Sequence, residues 1–245
     1  MRISVVVPAY NEARLIVRTL RSIPAYVTHV VVVDDGSLDD TAGCAQALGD
    51  PRVEVVRHHE NRGVGAAIVT GYQAAFARGA DACAVMAGDG QMDPADLARL
   101  LAPVLSGQAA YAKGDRLSFP DARRAMPRTR WLGNLVLARL TGLAAGLSVR
   151  DSQCGYTVLS REAAAQLPLH KLWNRYGYPN DLLGMLRERN LPVSEVVVRP
   201  VYADEESGIR LWHALFVVPF VLVRVLLRRA LVALSGFAEQ APELP

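Results

Sequence analysis

Short unbroken apolar runs alternate along the chain with longer segments whose apolar positions recur every three or four residues. The runs Arg2–Pro8, His29–Asp35, Arg52–Arg57, Ala82–Met86 and Ala109–Lys113 predict strands. The segments Glu12–Ile23, Asp40–Leu48, Gly65–Ala77 and Ala95–Leu105 predict helices; the first sets Leu15, Ile16, Leu20 and Ile23 on one side. The strands are rich in valine and lack polar alternation, which marks strands buried on both faces. Strand–helix alternation of this kind predicts an α/β fold, a Rossmann-like, mostly parallel central sheet with helices on both faces. The rhythm loosens after Lys113. Leu117–Arg130, with Pro120 and Pro127, reads as a loop, Trp131–Leu147 as a helix, Tyr156–Leu159 as a strand and Pro179–Arg189 as a helix. Val193–Val198 is a further strand, Val201–Arg210 a charged loop, and no internal repeat is visible.

Composition narrows the class. With 245 residues, 51% hydrophobic and 21% charged, the chain is globular and large enough for one sizeable core. A net charge of +3, without a basic stripe interleaved with aromatics, argues against nucleic acid as a partner. Cys44, Cys83 and Cys154 form no paired motif, which fits a reducing compartment and speaks against a zinc site or a disulfide framework. The first residues run directly into a strand, so no secretory signal is expected. The outlier is the C-terminal stretch. Leu211–Val223 is almost wholly apolar, and Arg224, Arg228 and Arg229 follow. It is shorter than the roughly 20 residues a spanning helix needs. The expectation is one or more amphipathic, arginine-bearing helices lying at a membrane surface, with packing on the core or on a second copy as the alternative.

Chemistry gathers where strands end. The fourth strand stops at Asp89-Gly90-Gln91, and Asp93-Pro94 follows. Asp and Gln oxygens at the carboxyl edge of a sheet suit a hard divalent ion, Mg²⁺ or Mn²⁺, and such an ion usually accompanies a diphosphate. The alternative for Asp89 is a capping role in a tight turn; for Asp93, directly before Pro94, a helix cap is the favoured reading. Strand two ends at Asp34-Asp35-Gly36-Ser37, which is also good turn chemistry. Gly63 and Gly65 open a helix whose N-terminal amides favour an anion.

Five segments in order resemble the inverting family 2 glycosyltransferases of the GT-A fold. They are Val5–Glu12 (VVVPAYNE), Val31–Ser37 (VVVDDGS) with Asp39 and Thr41, Asn61–Ala67 (NRGVGAA), Asp89–Pro94 (DGQMDP) and Asp151–Tyr156 (DSQCGY). The last, with Lys113-Gly114-Asp115-Arg116, is similar to the polyprenyl- and dolichyl-phosphate mannosyl- and glucosyltransferases. The resemblance covers residues 1 to about 210. It implies a catalytic domain over 1–210, with a nucleotide-sugar half (1–114) and an acceptor half (115–210), and a helical tail over 211–245.

The resemblance also implies site roles. Pro8, Tyr10, Glu12 and Asp35 would hold the nucleoside, Gly63 would admit the diphosphate, and Asp89 and Gln91 would hold the metal. Lys113, Arg116 and Arg210 would contact phosphate of donor or acceptor. Asp151 would face the attacking acceptor, with Asp181 as its rival. The implied activity is transfer of a hexose from a UDP- or GDP-linked donor to a lipid phosphate, at the cytoplasmic face of a membrane; a homo-oligomer stays open.

Three departures bear on this reading. Ala87 stands where many relatives carry a second carboxylate, which predicts a metal site completed by the donor's diphosphate. Thr157 follows Tyr156 where relatives often have Arg, and Arg210 stands near the place of a lysine. Alternatives are the same donor chemistry with a soluble or protein acceptor, and a nucleotide-sugar-binding module without turnover. His58 and His59 read as surface or pocket-edge residues.

Overall fold

The structure is a computed structural model that describes residues 1–201 and 216–239, with side chains to residue 232. Seven strands form one sheet: β1 (Ile3–Ala9), β2 (His29–Asp34), β3 (Val53–Arg57), β4 (Ala82–Val85), β5 (Tyr111–Asp115), β6 (Thr157–Ser160) and β7 (Val193–Val197). Their order is β3-β2-β1-β4-β6-β5-β7. All neighbours are parallel except β6, which runs antiparallel to β4 and β5. The parallel sheet predicted for the first half is thus present, and the two halves of the chain share it.

Successive side chains of a strand point to opposite faces, so each strand feeds two cores. Val5 and Val7 pack with Ile16 of α1 (Ile16–Ser22) and with Leu97, Leu100 and Leu101 of α4 (Leu97–Leu105). On this face also lies α2 (Thr41–Ala47), through Ala45. Val6 faces the other way, onto Ile68 and Tyr72 of α3 (Val64–Ala77). The second half of the chain adds α5 (Ala122–Ala125), α6 (Arg128–Ala145), α7 (Arg161–Gln166) and α8 (Tyr178–Glu188), and then α9 (Val218–Glu239). A third apolar cluster joins Ala144 and Ala145 of α6 to Val221, Leu222 and Val225 of α9.

Three local differences from the sequence reading have physical causes. Helix α1 starts at Ile16, not Glu12, because side chains of the 37–41 segment capture the preceding amides. Ser37 Oγ accepts from Asn11 N, Thr41 Oγ1 from Glu12 N, and Asp39 Oδ2 from Ala13 N. The stretch expected as a loop over Leu117–Arg130 contains α5 and the first turn of α6, which Pro127 precedes with a φ of −52°. Helix α7 escaped notice although Ser160 caps it, accepting from Ala163 N at 3.1 Å.

Candidate active site at the carboxyl edge of the sheet

The chain leaves β1 toward β2 on one side and returns to β4 on the other, so β1 and β4 flank the point where the sheet's winding reverses. Ligands bind above such points in α/β folds. Pro8, Glu12 and Asp89 come from these two strand ends. Behind β4, Gln91 N donates to Asp89 Oδ1 at 3.0 Å, closing the turn, and Asp93 caps the following helical turn by accepting from Ala95 N at 2.9 Å. Asp93 therefore has the capping role expected of it. A pocket opens here, lined by Pro8, Ala87, Asp89 and Gln91 together with Arg116, Arg130, Gln153 and Tyr176.

Carboxylates gather around Glu12. Burial, then the neighbouring charges of Asp89 and Asp39, push the Glu12 carboxyl up to about 7. Burial, then the charges of Asp89 and Glu12, raise the Tyr176 phenol. Among the described residues no group of three metal-ligating His, Cys, Asp or Glu side chains forms a closed cage. Asp89 and Gln91 together offer oxygen ligands in a field that favours a cation. The donor set thus fits a hard divalent ion that takes the rest of its coordination from a phosphate. Ala87, in the position of the missing carboxylate, lies in the pocket lining.

Asp35 sits in different company. Its carboxylate is buried and accepts from Arg62 N at 3.0 Å, Gly63 N at 2.7 Å and His58 Nδ1 at 2.7 Å. These bonds clamp the 58–63 turn. His58 is the correction that comes with it: it is buried, and its Nε2 lies 3.0 Å from Thr70 Oγ1, whereas His59 is exposed as expected. Tyr10 is exposed beside this turn region, and Gly63 adopts a φ of +98°. A Cβ on Gly63 would lie 2.4 Å from the Asn174 carbonyl oxygen, and one on Gly65 would lie 2.2 Å from that of Trp173. The close approach these glycines permit is to the chain's own 173–174 backbone, and Ala66 N donates to Asn174 O there.

In the second half of the chain, Asp151 and Asp181 are held by arginines. Asp151 has no exposed surface. Arg116 forks onto it, Nε to Oδ2 at 2.8 Å and Nη2 to Oδ1 at 3.1 Å. Burial alone would raise this carboxyl; the Arg116 charge and hydrogen bonds, helped by Lys113, outweigh it and hold it below the usual range. Lys113 was expected at a phosphate. The structure instead buries it fully, with Nζ donating to the Asp151 carbonyl oxygen. Asp181 is equally enclosed: it accepts from Trp173 N at 2.9 Å and pairs with Arg228 at 3.1 Å and Arg224 at 3.6 Å. Neither Asp151 nor Asp181 lines the pocket. Arg116 does, and Arg210 lies outside the described residues.

Arg130 and Tyr176 are pocket residues that local sequence pattern did not single out. The only signal for Arg130 was charge: residues 122–150 hold six arginines and no Asp or Glu. Tyr176 has no local signal, because the loop over 173–177 reaches the metal-ligand candidates only through tertiary packing.

Comparisons with known proteins agree with this geometry. The chain is 30% identical to the UDP-N-acetylglucosamine–dolichyl-phosphate N-acetylglucosaminyltransferase of Methanococcus voltae, covering 82% of this chain and 86% of that one. It is 30% identical to the polyprenol monophosphomannose synthase of Mycolicibacterium smegmatis, covering 94% and 90%. Glucosyl-3-phosphoglycerate synthase of Mycobacterium tuberculosis, solved with Mn²⁺, UDP and phosphoglyceric acid, superposes with a TM-score of 0.71 at 23% identity, over 92% of this chain and 78% of that one. That likeness places the fold among the GT-A glycosyltransferases. The description "Glycosyl transferase family 2" matches residues 4–167, the span that supplies every donor-side residue above. Sheet order, strand-end carboxylates and relatives thus converge, and the chain belongs to glycosyl transferase family 2.

Proposed function

We propose that the chain transfers a sugar from a nucleotide diphosphate to the phosphate of a polyprenyl-type lipid, with Mg²⁺ or Mn²⁺, at the cytoplasmic face of a membrane. The observation that carries this reading is the mixed lining of one pocket, which gathers the oxygen ligands Asp89 and Gln91 with the cations Arg116 and Arg130. The relatives that act on dolichyl and polyprenol phosphates support it. Asp89 and Gln91 would hold the ion, which when bound supplies charge neutralisation to the diphosphate leaving group.

The chain's own residues do the rest. Pro8 and Tyr10 flank the nucleoside end, and the buried Asp35–His58 pair fixes the turn on which Gly63 stands. Arg116 and Arg130 orient the acceptor phosphate; a guanidinium matches phosphate geometry with two parallel hydrogen bonds. A phosphate oxygen is already ionised near neutral pH, so it attacks the anomeric carbon, opposite the departing diphosphate, without a protein base. Asp151 is then a positioning residue acting through Arg116. Asp181 ties α8 to α9 and is a structural residue in this reading.

A transfer assay with UDP- and GDP-sugars, with and without Mn²⁺, against a short-chain polyprenyl phosphate and a small phosphorylated acid, tests it. Expected is metal-stimulated transfer to the polyprenyl phosphate. Transfer only to the soluble acid, or donor binding without transfer to either, overturns the reading.

A further inference from the structure

Helix α9 is amphipathic in the reverse of the usual sense. Its arginines face the protein: Arg224 and Arg228 pair with Asp181, Arg228 also with Glu188 at 2.9 Å, and Arg229 donates to the Leu143 carbonyl. Its opposite side presents Phe220, Val223, Leu227 and Leu231 to the outside, with Phe220 58% and Leu231 65% exposed. The sequence reading placed these arginines at a membrane; the structure spends them on the protein and leaves the apolar side uncovered. Helix α6 beside it also leaves apolar residues uncovered. Leu132, Val136, Leu140 and Leu143, spaced three or four apart, are all exposed, Leu143 by 74%. Of the fifteen large hydrophobics exposed among the described residues, eleven lie at positions 132–143 and 216–232, so the apolar surface is one region and not scatter. The two helices pack side by side through Ala144, Ala145, Val221 and Leu222, which turns their outer sides into a continuous face.

The edge of that face is basic. Arg123, Arg124, Arg128 and Arg139 are exposed along the α5–α6 stretch, and no Asp or Glu occurs between Asp121 and Asp151. Arg130 of α6 and Val218 of α9 both line the catalytic pocket, so the face adjoins its mouth. No helix among the described residues is long and apolar enough to cross a membrane.

We infer that α6 and α9 together form a docking face for an anionic lipid bilayer, in which α6 supplies the basic edge and the apolar residues of both helices enter the headgroup boundary. A second copy of the chain is a poorer occupant. A two-fold pair would set this acid-free, arginine-edged surface against itself. The inference deepens the proposed transfer: a face that adjoins the pocket presents Arg130 at the depth of a lipid phosphate.

Flotation with phosphatidylcholine vesicles containing phosphatidylglycerol, and no polyprenyl phosphate, tests docking apart from catalysis. The native chain is expected to float, and Leu140→Glu/Leu143→Glu to lower the bound fraction by about tenfold or more. Both positions are exposed, so the melting temperature should hold; Leu132→Glu, at the other end of the stripe, is the second variant. Transfer to a water-soluble short-chain polyprenyl phosphate should be unchanged in these variants, while transfer to a long-chain acceptor in vesicles falls. Docking is overturned if the variants float like the native chain, or if the native chain stays unbound and sediments as a dimer that they dissociate. Flotation behaving as expected without transfer in any arm upholds the docking face and rejects the transfer reading.

Discussion

The carboxylates gathered around Glu12 and the carboxylate of Asp151 differ in the electrostatic company they keep. Asp89 shares its surroundings with Glu12 and Asp39, whose charges reinforce one another. Asp151 is closed in a two-point fork with Arg116, and Asp181 pairs with Arg228 and Arg224. A carboxylate locked by arginine inside the fold holds structure; carboxylates crowded together, as Asp89 and Asp39 are around Glu12, favour a cation among them. The residue type is the same in both cases, and the partner decides the role.

The sharpest way to break this contrast is Asp89→Ala. Turnover should fall by about 10³-fold or more as the Lewis-acid contribution is lost. Calorimetry should show metal-dependent donor affinity disappearing with it, while the melting temperature stays near native. Unchanged donor affinity in the presence of Mn²⁺ would place the cation elsewhere.

Asp151→Asn attacks the other side. It leaves the guanidinium without its charged partner, and breaking a buried pair costs about 3 kcal/mol or more, to be read from urea denaturation. Donor affinity should be unaffected and the acceptor KM raised. The lowered Asp151 pKa also fixes a sign: the stability it contributes is present above the ordinary carboxylate range and is lost as pH falls through the lower folded value. Native stability intact in the Asn variant, with kcat collapsed, would restore Asp151 to the role of base.

Arg130→Ala should raise the acceptor KM by about tenfold, the worth of a charge-assisted hydrogen bond, and leave the donor Kd unchanged. The smallest expected effect is at Glu12. Without metal or donor, the raised Glu12 pKa means that its stabilising contribution is full below about 4.5 and lost as pH rises through about 7. Glu12→Gln should therefore melt higher than the native chain at pH 8 and alike at pH 4.5; equal melting at both would mean that Glu12 does not feel Asp89.

The fold was legible because its strands are continuous apolar runs with punctuation between them, and the period of the pattern sets element type. The antiparallel β6 was not, since direction of pairing is decided by a partner strand some 70 residues away in sequence, Thr157 opposite Val85. Asp89 could be read because strand end and turn are local features. Partners could not: nothing near His58 announces Asp35, and nothing near Arg224 or Arg228 announces Asp181. Hence the donor half was read as a set of contacts to ligand, and part of that set proves to be contacts within the chain.

The meeting of Gly63 and Gly65 with the carbonyls of Trp173 and Asn174 has a consequence for how the protein tolerates change. The closest atoms across the junction are the carbonyl oxygens of Trp173 and Asn174, so a single methyl group at position 63 or 65 forces the 173–177 loop outward. That loop carries Tyr176 into the pocket and stacks Trp173 on Phe220 of α9, with ring centroids 5.6 Å apart. A lesion at either glycine would therefore act at a distance, on the pocket through Tyr176 and on α9 through Trp173.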